Sequence, residues 1–290
     1  MADQKTFAIN AYCKINLHLH VCERRDDGFH DIESVFQLVS VYDRLSVSIG
    51  GNQGSCEVVS PDMPLPPVNT ITRAVDAFRK ACGFSGGVTV TVEKKIPAGA
   101  GLGGGSSDAA AVLVALDRLT GSGVGLQGLR LISAEIGSDV PFFLSSPAAL
   151  VSGRGEKIRP IRARSDVYGV LVWPAIECST PRAFALLDDF GIQDAAVAFD
   201  TLERAYHDPV CDWPYYNSFT VPVSAEYPLI GTLLAEIGNC GAQYTAISGS
   251  GSACYGLFSD PDLAEDAFRS LSTHWKWCEK FVLLAHCPMQ

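Results

Sequence analysis

The sequence predicts an α+β fold built in two lobes, and three observations carry that prediction. Alternating, β-branched segments are interspersed with apolar helical stretches along the whole chain. A glycine-rich run at 96–110 joins one such strand to an alanine-rich helix. Composition then shifts near residues 162–166, which sets a boundary between a first unit at 1–164 and a second at 165–290. At 290 residues the chain can bury two modest cores or one large one.

In order, residues 13–22 alternate strictly, with Ile15, Leu17, Leu19 and Val21 on one face and Lys14, Asn16, His18 and His20 on the other. This predicts a half-buried strand with a polar second face. Arg24, Arg25, Asp26, Asp27 and Gly28 read as a turn, followed by a return strand over 34–39 and short strands over 45–49 and 57–59. Prolines make 61–67 a loop, and Asn69 is placed to cap a helix running to Ala81. Residues 87–95 form a strand that leads into the glycine run. The helix after it is stopped by glycines at 121 and 123, and a second helix at 126–136 ends at Gly137, Ser138 and Asp139. Residues 149–151 lead to a turn at Gly153, Arg154 and Gly155. The second unit reads as a strand at 167–172, a helix at 180–187 with Pro181 in its first turn, and a helix at 228–237. Strands at 244–248, 253–258 and 281–285 and a helix at 260–270 complete it.

A net charge of −10 excludes nucleic acid as the main partner, because phosphate-backbone binding needs a basic face. It leaves room for a small nucleotide in a locally basic pocket, which Lys14, Lys94, Lys95, Arg24 and Arg25 could supply. No apolar run approaches a membrane span and the first residues lack a signal-peptide pattern, so a cytoplasmic protein is expected. The ten cysteines contain no CxxC pair and read as buried free thiols. His18 and His20 have no third ligand nearby and are expected to make core or near-site hydrogen bonds.

The glycine run is the richest signal. Glycines free backbone N–H groups to point inward, and a helix N-terminus favours negative charge, so the loop is expected to hold phosphate. Three patterns compete. A GxGxxG match is satisfied by any run of glycines and lacks the acidic residue expected about 20 positions on. A Walker A loop is excluded because no Gly-Lys-Ser/Thr follows. The pattern that fits is Pro97, then Gly101-Leu102-Gly103-Gly104-Gly105-Ser106-Ser107 and two alanines after Asp108, with the serines expected to cap the helix and bond phosphate oxygens or a metal-bound water.

That pattern resembles the phosphate loop of the GHMP kinases. Three further segments resemble motifs of the same family in the same order: residues 11–17 with Lys14 and Asn16, residues 137–143 around Asp139, and residues 248–252 around Gly249. Residues 24–30 resemble a segment of the branch that acts on a cytidine-diphosphate-linked methylerythritol. The resemblance implies a first lobe like ribosomal protein S5 domain 2 and a ferredoxin-like second lobe. It implies transfer of phosphate from ATP, with Mg2+, to the 2-hydroxyl of that substrate in non-mevalonate isoprenoid precursor synthesis. Homoserine- or mevalonate-type kinases, or a nucleotide-binding protein without turnover, are the alternatives.

The same resemblance implies roles for individual residues. Pro97, Gly99, Gly101, Leu102, Gly103, Gly104, Gly105, Ser106 and Ser107 hold ATP, and Asn69 lies on its adenine side. Asp139 is the base or orienter of the hydroxyl and Lys14 the cation; if paired, the lysine would keep the carboxylate charged. Asn16 shares the Lys14 face. Phe29, where the branch usually carries Tyr, and His30 meet the cytosine, with Phe184 as a second aromatic and Gly249 in the turn beside the substrate. Asp108 is expected to complement the helix dipole from the first turn. The magnesium ligands and the oligomeric state are left open.

Overall fold

The computed structural model describes residues 5–192, 197–287 and 289. Its first sheet is organised by one long hairpin. Strands β1 (Lys5–Arg24) and β2 (His30–Ile49) pair antiparallel from Lys5↔Ile49 to Arg24↔His30. The strands expected at 34–39 and 45–49 are thus two halves of β2, because no glycine or proline interrupts residues 29–49. β1 is buried on both faces rather than one: Lys14, Asn16, His18 and His20 are all covered, because the second lobe packs over its polar side. Leu19 donates to and accepts from the chain at Tyr216 and Ser218, which ties the hairpin to that lobe.

β3 (Cys56–Val59), α1 (Thr70–Cys82) and β4 (Val88–Glu93) follow. Next come α2 (Gly104–Thr120), α3 (Gly125–Ala134) and the short α4 (Val140–Phe143), then β5 (Ala148–Gly153) and β6 (Lys157–Pro160). The sheet order is β3-β4-β2-β5-β6, with β1 on the other edge of β2. β4 pairs with β2 at residues 44–49 and β5 with residues 32–37, so the edge of β2 between them is left for other groups. Residues 107–116 of α2 are buried without a break. Four alanines in that stretch let the helix sit closely against the hairpin and α1.

β7 (Tyr168–Trp173) starts a second sheet. It is followed by α5 (Thr180–Phe190), α6 (Leu202–His207), α7 (Thr220–Glu226) and α8 (Pro228–Asn239). β8 (Tyr244–Ile247), β9 (Cys254–Phe258), α9 (Pro261–Leu271) and β10 (Trp277–Val282) complete it. The order β10-β7-β9-β8, all antiparallel, with helices crossing between strands, is the ferredoxin-like arrangement. The last strand lies earlier than 281–285 because Trp277 and Cys278 pair with Trp173 and Val172. Among the described residues no helix is long and apolar enough to cross a membrane. All ten cysteines are free, but only Cys13, Cys178, Cys254 and Cys287 are buried; Cys22, Cys56, Cys82, Cys240 and Cys278 are half-buried and Cys211 is exposed.

Candidate active site

A cleft of about 910 Å³ runs from the glycine loop, past Lys14 and Asp139, to an aromatic end at Phe29, His30 and Phe184. The loop enters it at Pro97 and leaves it at Ser106. Helix α2 begins at Gly104 with Gly103 as N-cap and no side-chain cap. The serines therefore sit in the first turn and do not cap, contrary to expectation. Gly103 takes a left-handed backbone (φ 69°), and a Cβ there would lie 2.9 Å from Phe143. An uncapped start leaves the first N–H groups of α2 for a ligand. Ser106 lines the cleft. Ser107 does not; its Oγ is buried without a partner among the described residues.

The loop's shape is set by the second lobe. At Gly101 (φ 81°) a Cβ would fall 1.9 Å from the carbonyl oxygen of Ser248. Ser248 Oγ donates to the Gly101 carbonyl at 2.9 Å, and Ala253 N donates to that of Ala100 at 3.1 Å. Gly249 lines the cleft, and Asn217 Nδ2 donates to its carbonyl at 2.8 Å. Leu102 is buried, but its carbonyl accepts from Lys14 N at 3.0 Å. The β1–β2 register shifts between Tyr12 and Lys14, an irregularity that aims a side chain at a site.

Lys14 Nζ donates to Asn16 Oδ1 at 2.6 Å, lies 3.6 Å from Asp139 Oδ2, and sits 4.5 Å over the Phe36 ring. Burial lowers the Lys14 pKa, against the pull of Asp139. Asp139 precedes α4 without capping it, so its carboxylate, 31% exposed, faces the cleft beside Lys14. The sequence-predicted pair is thus brought together, with Asn16 as a third member.

A second ionic cluster lies beneath the loop and includes a residue the sequence reading missed. Lys94 Nζ bonds Asp43 Oδ2 and, at 2.8 Å, Asp108 Oδ2. Asp43 Oδ1 accepts from Lys95 N at 2.6 Å and Ile96 N at 2.8 Å, filling the free edge of β2. Asp43 interrupts the buried alternation of Val39, Val41, Leu45 and Val47, and a charge at a core position was the available signal. Asp108 is not a dipole partner at the helix surface. It is buried, and burial pushes its carboxyl up to about 7, against the pull of Lys94, with Asp43 adding to the rise. Lys94 itself is disfavoured by burial, but Asp108 and Asp43 more than offset this and raise its pKa.

At the aromatic end, Phe29 is 53% exposed and carries the Arg154 guanidinium 4.2 Å over its ring. His30 stacks on Phe184 (5.3 Å, 20°), and Phe219 meets Phe184 edge-on. Phe184 therefore faces His30, and no ring contact joins it to Phe29 among the described residues. Arg154 and Asp188 line this end and were not singled out from sequence. Of the expected basic residues, Lys14, Lys94 and Arg24 line the cleft. Lys95 pairs instead with Glu279 (2.8 Å), and Arg25 with Asp31 (2.9 Å) and Asp27 (3.1 Å). Asn69 lines the cleft, but its side chain is occupied as the α1 cap, accepting from Ile71 N and Thr72 N and donating to Pro66 O. His18 accepts from Tyr216 N, and His20 Nδ1 pairs with the Tyr216 hydroxyl. Among the described residues no cluster of three or more His, Cys, Asp or Glu could hold a metal.

Comparison with known proteins agrees with this architecture. The model of the GHMP kinases N terminal domain matches residues 69–146, and that of GHMP kinases C terminal matches residues 208–276. A 4-diphosphocytidyl-2-C-methyl-D-erythritol kinase of Treponema pallidum subsp. pallidum is 40% identical over 288 residues, covering 96% of this chain and 99% of the relative. A crystal structure of 4-(cytidine 5'-diphospho)-2C-methyl-D-erythritol kinase superposes with a TM-score of 0.80 at 33% identity, covering 96% of this chain and 99% of the other. A homoserine kinase from Cytophaga hutchinsonii superposes at TM-score 0.78 over 100% of this chain and 98% of its own, but at 16% identity it speaks for the fold alone. The chain belongs to the GHMP kinase family and, within it, to the family of 4-diphosphocytidyl-2-C-methyl-D-erythritol kinases. The chain is accordingly an ATP-dependent kinase of a small molecule.

Proposed function

We propose that this chain transfers the γ-phosphoryl group of ATP to the 2-hydroxyl of 4-diphosphocytidyl-2-C-methyl-D-erythritol, a step in non-mevalonate isoprenoid precursor synthesis. The observation that carries this reading is the Lys14–Asp139 pair, open to a cleft that joins an uncapped helix start to an aromatic end. The ATP phosphates lie along residues 97–107 on the N–H groups of α2, with Asn69 on the adenine side through its backbone surroundings rather than its occupied amide. The substrate's cytosine meets Phe29, His30 and Phe184, its methylerythritol passes Asn16 and Gly249, and its hydroxyl reaches Asp139.

Asp139 orients that hydroxyl and takes its proton as the oxygen–phosphorus bond forms; the bond to the β-phosphate breaks and ADP leaves. Lys14 supplies positive charge beside the transferring group. Magnesium, bound with ATP, would neutralise phosphate charge. With no carboxylate cage in the described residues, phosphate oxygens, water and the loop hydroxyl of Ser106 are its proposed ligands, Ser107 being buried away from the cleft. Residues 1–164 carry the loop and the catalytic pair; residues 165–290 complete the substrate site. The net charge of −10 fits small-molecule partners rather than nucleic acid, and ten free thiols suit the cytoplasm.

ADP release, coupled to a dehydrogenase readout and measured across candidate alcohols, tests the reading. Fastest turnover is expected with the cytidine-linked methylerythritol. Faster turnover of homoserine or mevalonate would move the substrate assignment, and ATP binding without any turnover would make the chain a binding protein.

A further inference from the structure

The Lys14–Asp139 pair rests on an aromatic floor to which the proposed reaction gives no role. Phe36, on β2, lies opposite Asn16 of β1 and Ala149 of β5, so both neighbouring strands fix its backbone. Its side chain is buried yet lines the cleft, and the Lys14 ammonium sits 4.5 Å over its ring. Phe142 of α4 meets that ring edge-on (5.2 Å, 84°). Phe142 stands three residues after Asp139, so the single helical turn that follows the carboxylate also braces the ring beneath the lysine. An ammonium has three N–H groups. Asn16 Oδ1 accepts one at 2.6 Å, while the 3.6 Å to Asp139 Oδ2 is longer than a close charge-assisted bond and leaves that carboxylate free for a hydroxyl.

Resting on the role proposed above for Lys14, we infer that Phe36 is a positioning residue, whose ring face seats the Lys14 ammonium and keeps it charged beside Asp139. The face of an aromatic ring carries negative charge density, and a desolvated cation over it is held more strongly than one in water. The ring takes up no proton, and it supports the charge without a second ion pair that would compete with a phosphoryl oxygen. Burial alone works against that charge. Among the described residues, Asp139 and Cys13 are the titratable groups that act on Lys14, and burial pushes the Cys13 thiol up, so it stays protonated. Asp139 and the Phe36 ring therefore oppose burial from two sides of the lysine.

The test titrates Lys14 by NMR in protein carrying isotope-labelled lysine, its signal being the one lost in Lys14→Arg, and measures kcat/KM for the cytidine-linked methylerythritol over the same pH range. Two changes weaken the ring. Phe36→Leu removes it, and a ring-trifluorinated phenylalanine in place of Phe36 keeps its shape while withdrawing charge from its face. The fluorinated protein keeps the core filled, so it decides the matter if Phe36→Leu does not fold. Losing a desolvated cation–π contact disfavours the charged form, so the Lys14 titration should move down, by about half a pH unit with the fluorinated ring and about one unit in Phe36→Leu. The alkaline fall of kcat/KM should move by the same amount, with KM for ATP within about twofold. A merely structural role would lower stability or kcat and leave the titration in place. A titration unmoved by the fluorinated ring, with the alkaline fall still abolished in Lys14→Arg, overturns the Phe36 inference and leaves the role of Lys14 standing. A titration that moves while the alkaline fall does not removes Lys14 from the transfer, and the positioning role of Phe36 falls with it.

Discussion

Lys14 and Lys94 line the same cleft, their side chains are 5% and 4% exposed, and each meets a carboxylate. Their company differs. Asp139, beside Lys14, is 31% exposed, and among the described residues its Oδ1 has only Ser138 Oγ at 3.4 Å. Asp43 and Asp108, beside Lys94, are 0% and 3% exposed, and Asp43 spends one oxygen on two backbone N–H groups and the other on Lys94. A carboxylate that must meet a substrate needs an open oxygen and room for a ligand. Asp43, which fixes the entry to the loop, has both oxygens occupied, while Asp108 gives Oδ2 to Lys94 and keeps Oδ1 buried without a partner among the described residues. The first cluster is arranged to react and the second to hold.

The largest effects test that division by crossing two readouts. Asp43→Ala leaves the N–H groups of Lys95 and Ile96 without their acceptor and Lys94 with Asp108 alone, and each buried donor left unsatisfied costs about 1–3 kcal/mol. Urea unfolding should show that loss. Asp139→Ala should cost under about 2 kcal/mol in the same experiment, because Lys14 keeps Asn16 and can shed its proton. Its turnover should fall at least about 100-fold with ATP affinity nearly intact. Wild-type turnover in Asp139→Ala, or wild-type stability in Asp43→Ala, breaks the comparison.

The pH dependence sharpens it, because the two lysines are shifted in opposite directions. Lys14 loses its proton below the ordinary lysine value, since burial opposes its charge, while Lys94 is held charged above it. As pH rises, the charge beside Asp139 is therefore lost first. The alkaline fall of kcat/KM should begin below pH 10.5, the ordinary lysine value, and Lys14→Arg, though slower, should lack that fall. An alkaline limb unchanged in Lys14→Arg would remove Lys14 from the rate profile.

Asp108 makes the third test. One lysine cannot neutralise two sealed carboxylates, so the folded state holds a proton that the unfolded state releases near the ordinary value of 3.8. The folded pKa is raised, so this group's stability is full below 3.8 and is lost as pH rises towards about 7. Asp108→Asn cannot ionise, so its melting temperature relative to wild type should climb across that window. A difference that is flat with pH would contradict the shift.

How much of this was legible in the sequence follows from what each signal depends on. Lys14, Asn16, Asp139 and the glycine loop were legible because local pattern places them: a strand alternation, a helix end, a run of glycines. The first-turn position of Ser106 and Ser107 was not, because Gly103 starts the helix three residues earlier in a left-handed backbone, where Phe143, 40 positions away, leaves no room for a Cβ. The burial of β1 on both faces depends on Tyr216 and Ser218, nearly 200 residues further on. Asp43 was visible in principle as a charge among core valines, but its partners lie 51, 52 and 53 positions downstream. His30 meets Asp188 only because α5 returns over the hairpin.

The smallest expected effect separates burial from charge. Lys95 is the next residue to Lys94, on the same loop entry, and also pairs with a carboxylate, Glu279 at 2.8 Å. Its side chain is 50% exposed, however, so water already solvates both charges and two long side chains give up rotamer freedom to meet. Lys95→Ala should shift unfolding free energy by less than about 0.5 kcal/mol and leave the KM for ATP within about twofold, since its N–H to Asp43 is a backbone group that the substitution keeps. Urea unfolding and the ADP-release assay measure both. A loss approaching that of Asp43→Ala would mean that the loop responds to any charge at its entry, and the distinction between the sealed cluster and its exposed neighbour would fail.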